Sequence, residues 1–264
     1  MNIFRIELKR AFTNIRFYIA LLVGMLIITL HLIDIIPEMI NSYECDGEFV
    51  KTTFYVWIGA GTYKWHTYLY FLIFPLIATL PYGISTFTDR KNCVDFQYMT
   101  RCGKMKYYSA KYIAVFLSGG CAVVSPLVVN FLVCTLFFPL LTPEVTSAMY
   151  SVTGDTMMHE LFYSVPLLYL AIYMIIIFMY SGLYATLTMI VSDMTEYRFV
   201  AEVGSFFIYV FIISFFDIFE MSEYMPVYYL IPGYSSISAK IVFAEMAVLA
   251  LITFGYVFVK GKRN

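Results

Sequence analysis

The chain of 264 residues is 61% hydrophobic and only 13% charged, with a net charge of -1. A soluble domain carries about 25% charge, and apolar runs of 18 or more residues, each long enough for a membrane helix, recur here. This excludes an ordinary soluble domain and predicts an all-α polytopic membrane protein with no nucleic-acid partner. No removable signal peptide is expected, because residues 17–36 are too long for a signal core and lack a small-residue cleavage site. Cys45, Cys93, Cys102, Cys121 and Cys134 include no CxxC pair, so neither a zinc site nor a disulfide framework is indicated.

Residues 2–16 read as an amphipathic helix. Phe4, Leu8, Ala11, Phe12 and Ile15 share one face, with Arg5, Lys9 and Arg16 opposite. Such a helix is expected in the interface, its cations toward headgroups. The first span is residues 17–36, with His31 and Asp34 at its far end and Pro37 as its stop. Residues 38–66 follow as a polar, aromatic outer segment, holding Glu44, Asp46 and Glu48 but only Lys51 and Lys64 as cations. Gly59-Ala60-Gly61 marks a turn within it. The second span, residues 67–88, is interrupted by Pro75 and Pro81, each of which frees a carbonyl and bends the axis.

The longest strongly charged run is residues 89–111, with Asp89, Arg90, Lys91, Asp95, Arg101, Lys104, Lys106 and Lys111. A basic loop between two spans belongs on the cytoplasmic side. Within it Asn92 is expected to cap a short helix, Asp95 to stand in its first turn, and Gly103 to end it. Val94, Phe96, Tyr98 and Met99 would stud that helix with apolar knobs. This suits either a groove on another protein or a loop lying on headgroup phosphates.

The third span, residues 107–141, carries Ala114, Ser118 and Ala122 every four residues, a face for close helix contact. Pro126 and Asn130 are expected to interrupt its outer half. Residues 142–160 return outside with Glu144, Asp155 and Glu160 and no lysine or arginine. The fourth span, residues 161–191, exceeds the ~20 residues needed, so it tilts or projects. Arg198 marks a tight inner turn over residues 192–202, and the fifth span is the phenylalanine-rich run 203–219. Residues 220–240 are too apolar for a plain loop and read as a broken, partly re-entrant outer element. The sixth span, residues 241–259, is anchored inside by Lys260, Lys262 and Arg263. On this layout 14 of the 17 cations lie inside, leaving Lys51, Lys64 and Lys240 outside; both termini are expected in the cytoplasm of a plasma-membrane protein.

Catalytic signatures are scarce. There is no GxxxxGK[ST], and Gly83-Ile84-Ser85 lacks the second glycine of a nucleophile elbow. Leu117-Ser118-Gly119-Gly120 has the start of an ATPase signature, but Cys121 follows it inside a span, and helix packing explains it better. His31, His66 and His159 lie near the outer face without an i, i+4 partner, so structural roles are expected rather than a metal site. Glu245 is the carboxylate inside a span, about two turns from the outer end; reaching toward the interface is preferred slightly over a pathway role. The 25 Phe and 24 Tyr suit interfacial belts and helix packing, or the lining of a path for an amphipathic substrate.

The order of parts resembles the permease subunits of ABC type-2 transporters, mostly bacterial exporters, over nearly the whole chain from Asn2 to Lys260. The nearest local likeness runs from Pro81-Tyr82 through Asp89-Arg90-Lys91 to Arg101 and Tyr108-Ser109-Ala110-Lys111, similar to short permeases with a separate ATPase chain. The resemblance implies an elbow helix at residues 2–16 and a coupling helix at 92–101 that docks on a nucleotide-binding subunit. It also implies outer re-entrant helices at 220–238 and a second permease, identical or related, completing one pathway. Arg90, Lys91, Asp95, Phe96, Met99 and Arg101 are the expected coupling residues; Pro75, Pro81, Asn130 and Glu245 are the candidate pathway positions. No cofactor and no catalytic role are expected of this chain. The long segment 38–66 exceeds what a minimal member needs and is expected to cover the exit or bind a partner. Two alternatives remain open: an intramembrane enzyme, or a regulatory membrane protein whose charged loop binds a soluble signalling chain.

Overall fold

The computed structural model describes residues 3–45, 51–59, 64–144, 150–154, 156–232 and 238–262. Apart from turns and short irregular connections such as residues 138–144, these residues are helical, as expected of backbone that must satisfy its own hydrogen bonds in lipid. The elements are α1 (Ile3–Phe12), α2 (Ile15–Cys45), α3 (Thr53–Val56), α4 (Trp65–Thr79), α5 (Ser85–Lys91), α6 (Val94–Cys102) and α7 (Lys104–Phe137). They continue as α8 (His159–Ser164), α9 (Pro166–Met194), α10 (Arg198–Ile218), α11 (Pro226–Tyr229) and α12 (Ala239–Lys262). Among the described residues, five stretches are long and apolar enough to cross a membrane: Ile15–Pro37 of α2, then α7, α9, α10 and α12. The apolar helix α4 has 15 residues, about 22 Å at 1.5 Å per residue, against a hydrocarbon core of about 30 Å.

Helix α7 is the axis, packing against α1, α2, α4, α9 and α12. Its small residues permit this: Ala114, Ser118 and Ala122 are fully buried. At Gly119 a Cβ atom would stand 2.5 Å from the Cβ of Ala185 on α9 and 2.8 Å from the carbonyl oxygen of Ala78 on α4. Phe116 of α7 lies over Gly182 of α9, while Phe178 of α9 lies over Gly120 of α7. The two rings meet edge to face at 5.8 Å. The Leu117–Gly120 run is therefore a packing seam.

Several boundaries differ from the sequence expectation. The apolar stretch of α2 ends at Pro37, but the helix runs on to Cys45, since proline removes one hydrogen bond and flanking turns carry the rest. Pro126 does not interrupt α7; it sits inside the helix against Gly24, where a Cβ would come within 2.7 Å. The stretch 67–88 is not one helix. Helix α4 passes through Pro75 and stops at Thr79, and Pro81 stands in the turn before α5. In the fourth apolar run Val165 interrupts the helix between α8 and α9, and Pro166 opens α9 at its first turn, the position where the missing N–H costs nothing. Met225 to Pro232 are buried around α11, apart from a half-buried Tyr228; residues 233–237 of the outer element lie outside the described residues.

The face of α1 turned to the protein keeps Leu8, Ala11 and Phe12 of the expected apolar face, which pack on the core, but it also includes Glu7. Ile3, Glu7 and Ala11 are buried, whereas Phe4 is exposed, as is Ile15 at the start of α2. The outer segment, for its part, reaches into the core. Thr53 donates its hydroxyl to the Phe138 carbonyl at 2.8 Å, and the Ile58 amide donates to Oδ1 of Asn130 at 3.1 Å. Thr67 in turn donates to the Ile58 carbonyl at 2.7 Å. Phe54, Val56, Trp57 and Ile58 are all buried. Of the Gly59-Ala60-Gly61 turn, Ala60 and Gly61 lie outside the described residues.

Candidate functional site

Two short helices, α5 and α6, project between α4 and α7 at the end of the bundle that carries the chain's N-terminal helix and the C-terminal end of α12. Cys93 separates them in a left-handed conformation (φ 54°) and occupies the cap position of α6. Asn92 instead ends α5, so the expected asparagine cap is replaced by a sharp reversal one residue on. Asp95 does stand in the first turn of α6, accepting the Phe96 amide at 2.8 Å. Gly103, at φ 82°, ends α6 and opens α7, a conformation that disfavours a side chain even where space is free.

Helix α6 has two faces. Tyr98, Met99 and Cys102 pack on Ile3, Tyr107 and Ala110, with Tyr98 stacked on Tyr107 at 6.2 Å. The other face presents Phe96, Gln97, Thr100 and Arg101 outward, and Phe96 is 70% exposed. Lys91 is exposed beside it. At the same end of the bundle, Met194, Tyr197 and Phe199 stand out from the turn between α9 and α10.

Beneath α6 lies a buried ionic junction. Asp89 of α5 meets the Arg10 guanidinium through two bonds, at 2.7 and 3.2 Å, and pairs directly with the Lys111 ammonium. Tyr107 donates to the same carboxylate at 3.1 Å, and Lys111 also bonds the Tyr107 hydroxyl at 2.7 Å. Arg10 reaches Glu7 at 2.9 Å, and Glu7 accepts the Tyr82 hydroxyl at 2.7 Å. Asp89, Lys111 and Glu7 are all buried. Burial alone would push the Asp89 carboxyl up, but the Arg10 hydrogen bond and the Lys111 charge outweigh it and hold the group below the usual carboxylate range. The junction ties α1, α5 and α7 into one body.

A second junction ties α5 to α9 and α12. Arg90 donates to the carbonyls of Ser192, Asp193 and Thr195 at 2.8–2.9 Å, closing the C-terminal end of α9, where free carbonyls favour a cation. Asp193 also receives Arg90 at 3.1 Å and pairs with Lys260. Arg16 meets Glu202 at 3.2 Å. Of the expected coupling residues, then, Arg90 is spent inside the protein and Met99 seals the inner face of α6. Lys91, Phe96 and Arg101 are presented outward, and Asp95 is half-buried.

The candidate pathway positions are not brought together. Pro75 and Pro81 are buried in and after α4. Asn130 is fully buried in α7, its amide 3.3 Å from Nδ1 of His31 and its carbonyl on Ile58. His31 meets His66 edge to face at 5.7 Å. Glu245 accepts the Tyr229 hydroxyl of α11, in the broken outer element. Sequence reasoning missed Glu7 and Tyr82 as parts of a site. The available signal was Glu7 itself, an acid three residues before Arg10 in a helix expected to face anionic headgroups.

Fold and site together define an all-α polytopic membrane protein with an exposed amphipathic helix at its cation-rich end, an arrangement consistent with a transport-related membrane protein. Compared with known protein families, with curated proteins and with solved structures, the chain matches none.

Proposed function

We propose that the chain is the membrane-embedded permease subunit of an ABC exporter, driven by ATP hydrolysed on a separate chain. On this reading α6 is the element the ATPase grips, α1 is the elbow helix, and α4 with its following turn completes a sixth crossing. A second permease, identical or related, supplies the other half of the pathway. Both termini face the cytoplasm of a plasma-membrane protein, and the cargo is amphipathic or hydrophobic. The observation that carries this is the two-faced α6. Its outward face is free for a partner, while the hairpin it forms with α5 is held by buried charge to α1 and α7 and by half-buried ion pairs to α9 and α12. A push on such a lever moves whole helices, as an alternating two-state packing change requires.

Phe96→Ala combined with Arg101→Ala is expected to abolish transport and leave ATP hydrolysis uncoupled, with insertion unchanged. Normal transport by that variant defeats the assignment. Orientation is tested through native Cys93, which is exposed. In a Cys45→Ser background, which removes the thiol of the outer segment, a membrane-impermeant maleimide is expected to label Cys93 in permeabilised but not in intact cells, and labelling of that variant in intact cells would place α6 on the wrong side. The outward face of α6 would equally suit a soluble signalling chain bound to a non-transporting membrane protein. Stoichiometric co-purification of an ABC ATPase separates the two.

A further inference from the structure

The outer segment is fastened to the bundle by a chain of hydrogen bonds whose polarity is fixed from one end. The Ile58 amide donates to Oδ1 of Asn130 at 3.1 Å. A backbone amide can only donate, so Oδ1 must face it and the side-chain NH2 group points the other way. The Cys134 thiol, 3.9 Å from the same Oδ1, agrees with that orientation. The NH2 group lies 3.3 Å from Nδ1 of His31. It too can only donate, so Nδ1 accepts, and His31 is neutral with its hydrogen on Nε2. His31 and Asn130 are both buried.

Adding a proton at Nδ1 breaks this chain, and turning the Asn130 amide over does not mend it. Left in place, the NH2 group and the protonated ring are two donors facing each other. Turned over, Oδ1 accepts from His31, but the NH2 group then opposes the Ile58 amide. Either way a buried donor loses its acceptor, which is costly. A solvated imidazole, by contrast, takes the same proton near pH ~6.5.

What the chain holds down is a cover over the end of two helices. Val56 of α3 is buried in one cluster with Ile35 of α2, Cys134 of α7 and Phe138 just after α7. Trp57 is buried, and its indole N–H donates to the Leu127 carbonyl at 3.4 Å. The other fastenings, Thr53 to the Phe138 carbonyl and Thr67 to the Ile58 carbonyl, contain no group that titrates near neutrality. Around His31 the titratable and charged groups among the described residues are few. Asp34 lies one turn on along α2. His66 of α4 meets the His31 ring edge to face at 5.7 Å, with Lys64 just before α4. Cys134 stands on α7, and Tyr55 of the outer segment packs on the Val56 cluster. Nε2 of His66 is 3.1 Å from the Asp34 carboxylate, so a proton on His66 strengthens an existing contact. Its sign is opposite to that of a proton on His31. A charge on His66 or Lys64 opposes a second one on His31.

We infer that His31 and Asn130 form an acid-released latch. Near neutral pH they pin residues 52–58 to α7; a proton on His31 frees that cover and opens the outer end of the seam between α2 and α7. Only the released state accepts the proton at no cost in hydrogen bonds. The closed state is therefore favoured at high pH and loses ground as pH falls, the released fraction rising up to about tenfold for each unit below about 6.5. The latch goes beyond the exporter assignment and does not depend on it.

The chain has two tryptophans, and Trp65→Phe, at an exposed position, leaves Trp57 as the single reporter inside the cover. The full chain carrying that change is placed in nanodiscs and taken from about pH 8 to about pH 4.5, across the imidazole range. Blue-shifted emission and weak acrylamide quenching are expected at the upper end. A red shift and severalfold stronger quenching are expected in acid, reversed on return to neutral pH with helical content unchanged throughout. His31→Gln in this background offers Asn130 an acceptor oxygen but takes no proton, so Trp57 is expected to stay buried in acid. Asn130→Asp offers a carboxylate that accepts both the Ile58 amide and a protonated His31. It too is expected to stay closed in acid, and it serves where His31→Gln fails to insert. His66→Phe is expected to keep the response and move it to higher pH, because one opposing charge is gone. The proposal is overturned if Trp57 of the parent remains buried at the acid end, or if His31→Gln or Asn130→Asp responds as the parent does. Loss of the response in His66→Phe also overturns it, placing the switch in the His66–Asp34 pair instead. The assay contains no ATPase, so the exporter assignment and the latch can fail separately.

Discussion

Asp89→Ala is expected to cost about 3–5 kcal/mol, the range for removing one partner of a buried ion pair. The variant leaves the Lys111 ammonium, which is fully buried, and the Arg10 guanidinium facing each other with no carboxylate between them. It also strips Tyr107 of its acceptor. Because the junction joins α1, α5 and α7, the loss should appear as a lower yield of inserted protein and a lower midpoint of thermal unfolding. The unfolding can be followed by a thiol dye reacting with Cys134, which is buried in the native state. Asp89→Leu with Lys111→Met, which removes the fully buried ammonium together with its carboxylate and leaves the half-exposed Arg10 paired with Glu7, is expected to recover more than half of the loss. Unchanged melting of Asp89→Ala would show that the junction does not hold the helices.

The same carboxylate sets a pH dependence whose sign follows from its direction of shift. The Asp89 carboxyl is held below its ordinary value in the folded protein, so the unfolded chain binds a proton more readily than the folded one. Its contribution is complete above the unfolded carboxylate value of about 3.9. It is lost as pH falls through the depressed folded value. Wild type and Asp89→Ala should therefore differ most at neutral pH and converge only in strong acid.

Gly119→Leu is expected to cost about 3 kcal/mol, the upper end for overpacked cores. The obstruction is backbone as well as side chain. The first atom added would stand 2.8 Å from the Ala78 carbonyl oxygen and 2.5 Å from the Cβ of Ala185. Three helices, α4, α7 and α9, converge there, and a helix backbone cannot step aside as a flexible side chain can. Ala185→Gly is expected to relieve Gly119→Ala in part, because the carbonyl remains. Gly255→Ala on α12, where an added Cβ meets nothing within 4 Å, is the neutral control. The Cys134 assay reads all four. A Gly119→Leu protein as stable as the control would mean that the three-helix contact is looser than its geometry.

The small-residue rows were legible beforehand because their reason is local. Ala114, Ser118 and Ala122 recur at helical spacing, and close approach needs small side chains wherever the partner lies. The short helix after the second span was legible for a like reason: Asp95 and Gly103 are end signals that act within one turn. Arg90 was harder. As sequence it is one cation among six in a charged run; as structure it caps α9, about a hundred residues away. Glu7 and Glu245 were harder still, since a carboxylate's meaning depends on which helix stands opposite. Pro37 and Pro126 show the reverse case, in which a strong local breaker is overridden by the hydrogen bonds and packing around it.

What the amino-acid order determined alone was the solvent: long apolar runs can be satisfied only by helices in lipid, and cations gathered in short connections mark one side. Which carboxylate meets which cation was decided by tertiary structure. Electrostatic pairing in a low-dielectric interior depends on separations of a few ångströms, and these are set by packing between residues far apart in the chain. The same holds for the outer segment, whose Trp57 and Ile58 belong to the core because α7 accepts the Ile58 amide at Asn130 and the Trp57 indole N–H at the Leu127 carbonyl.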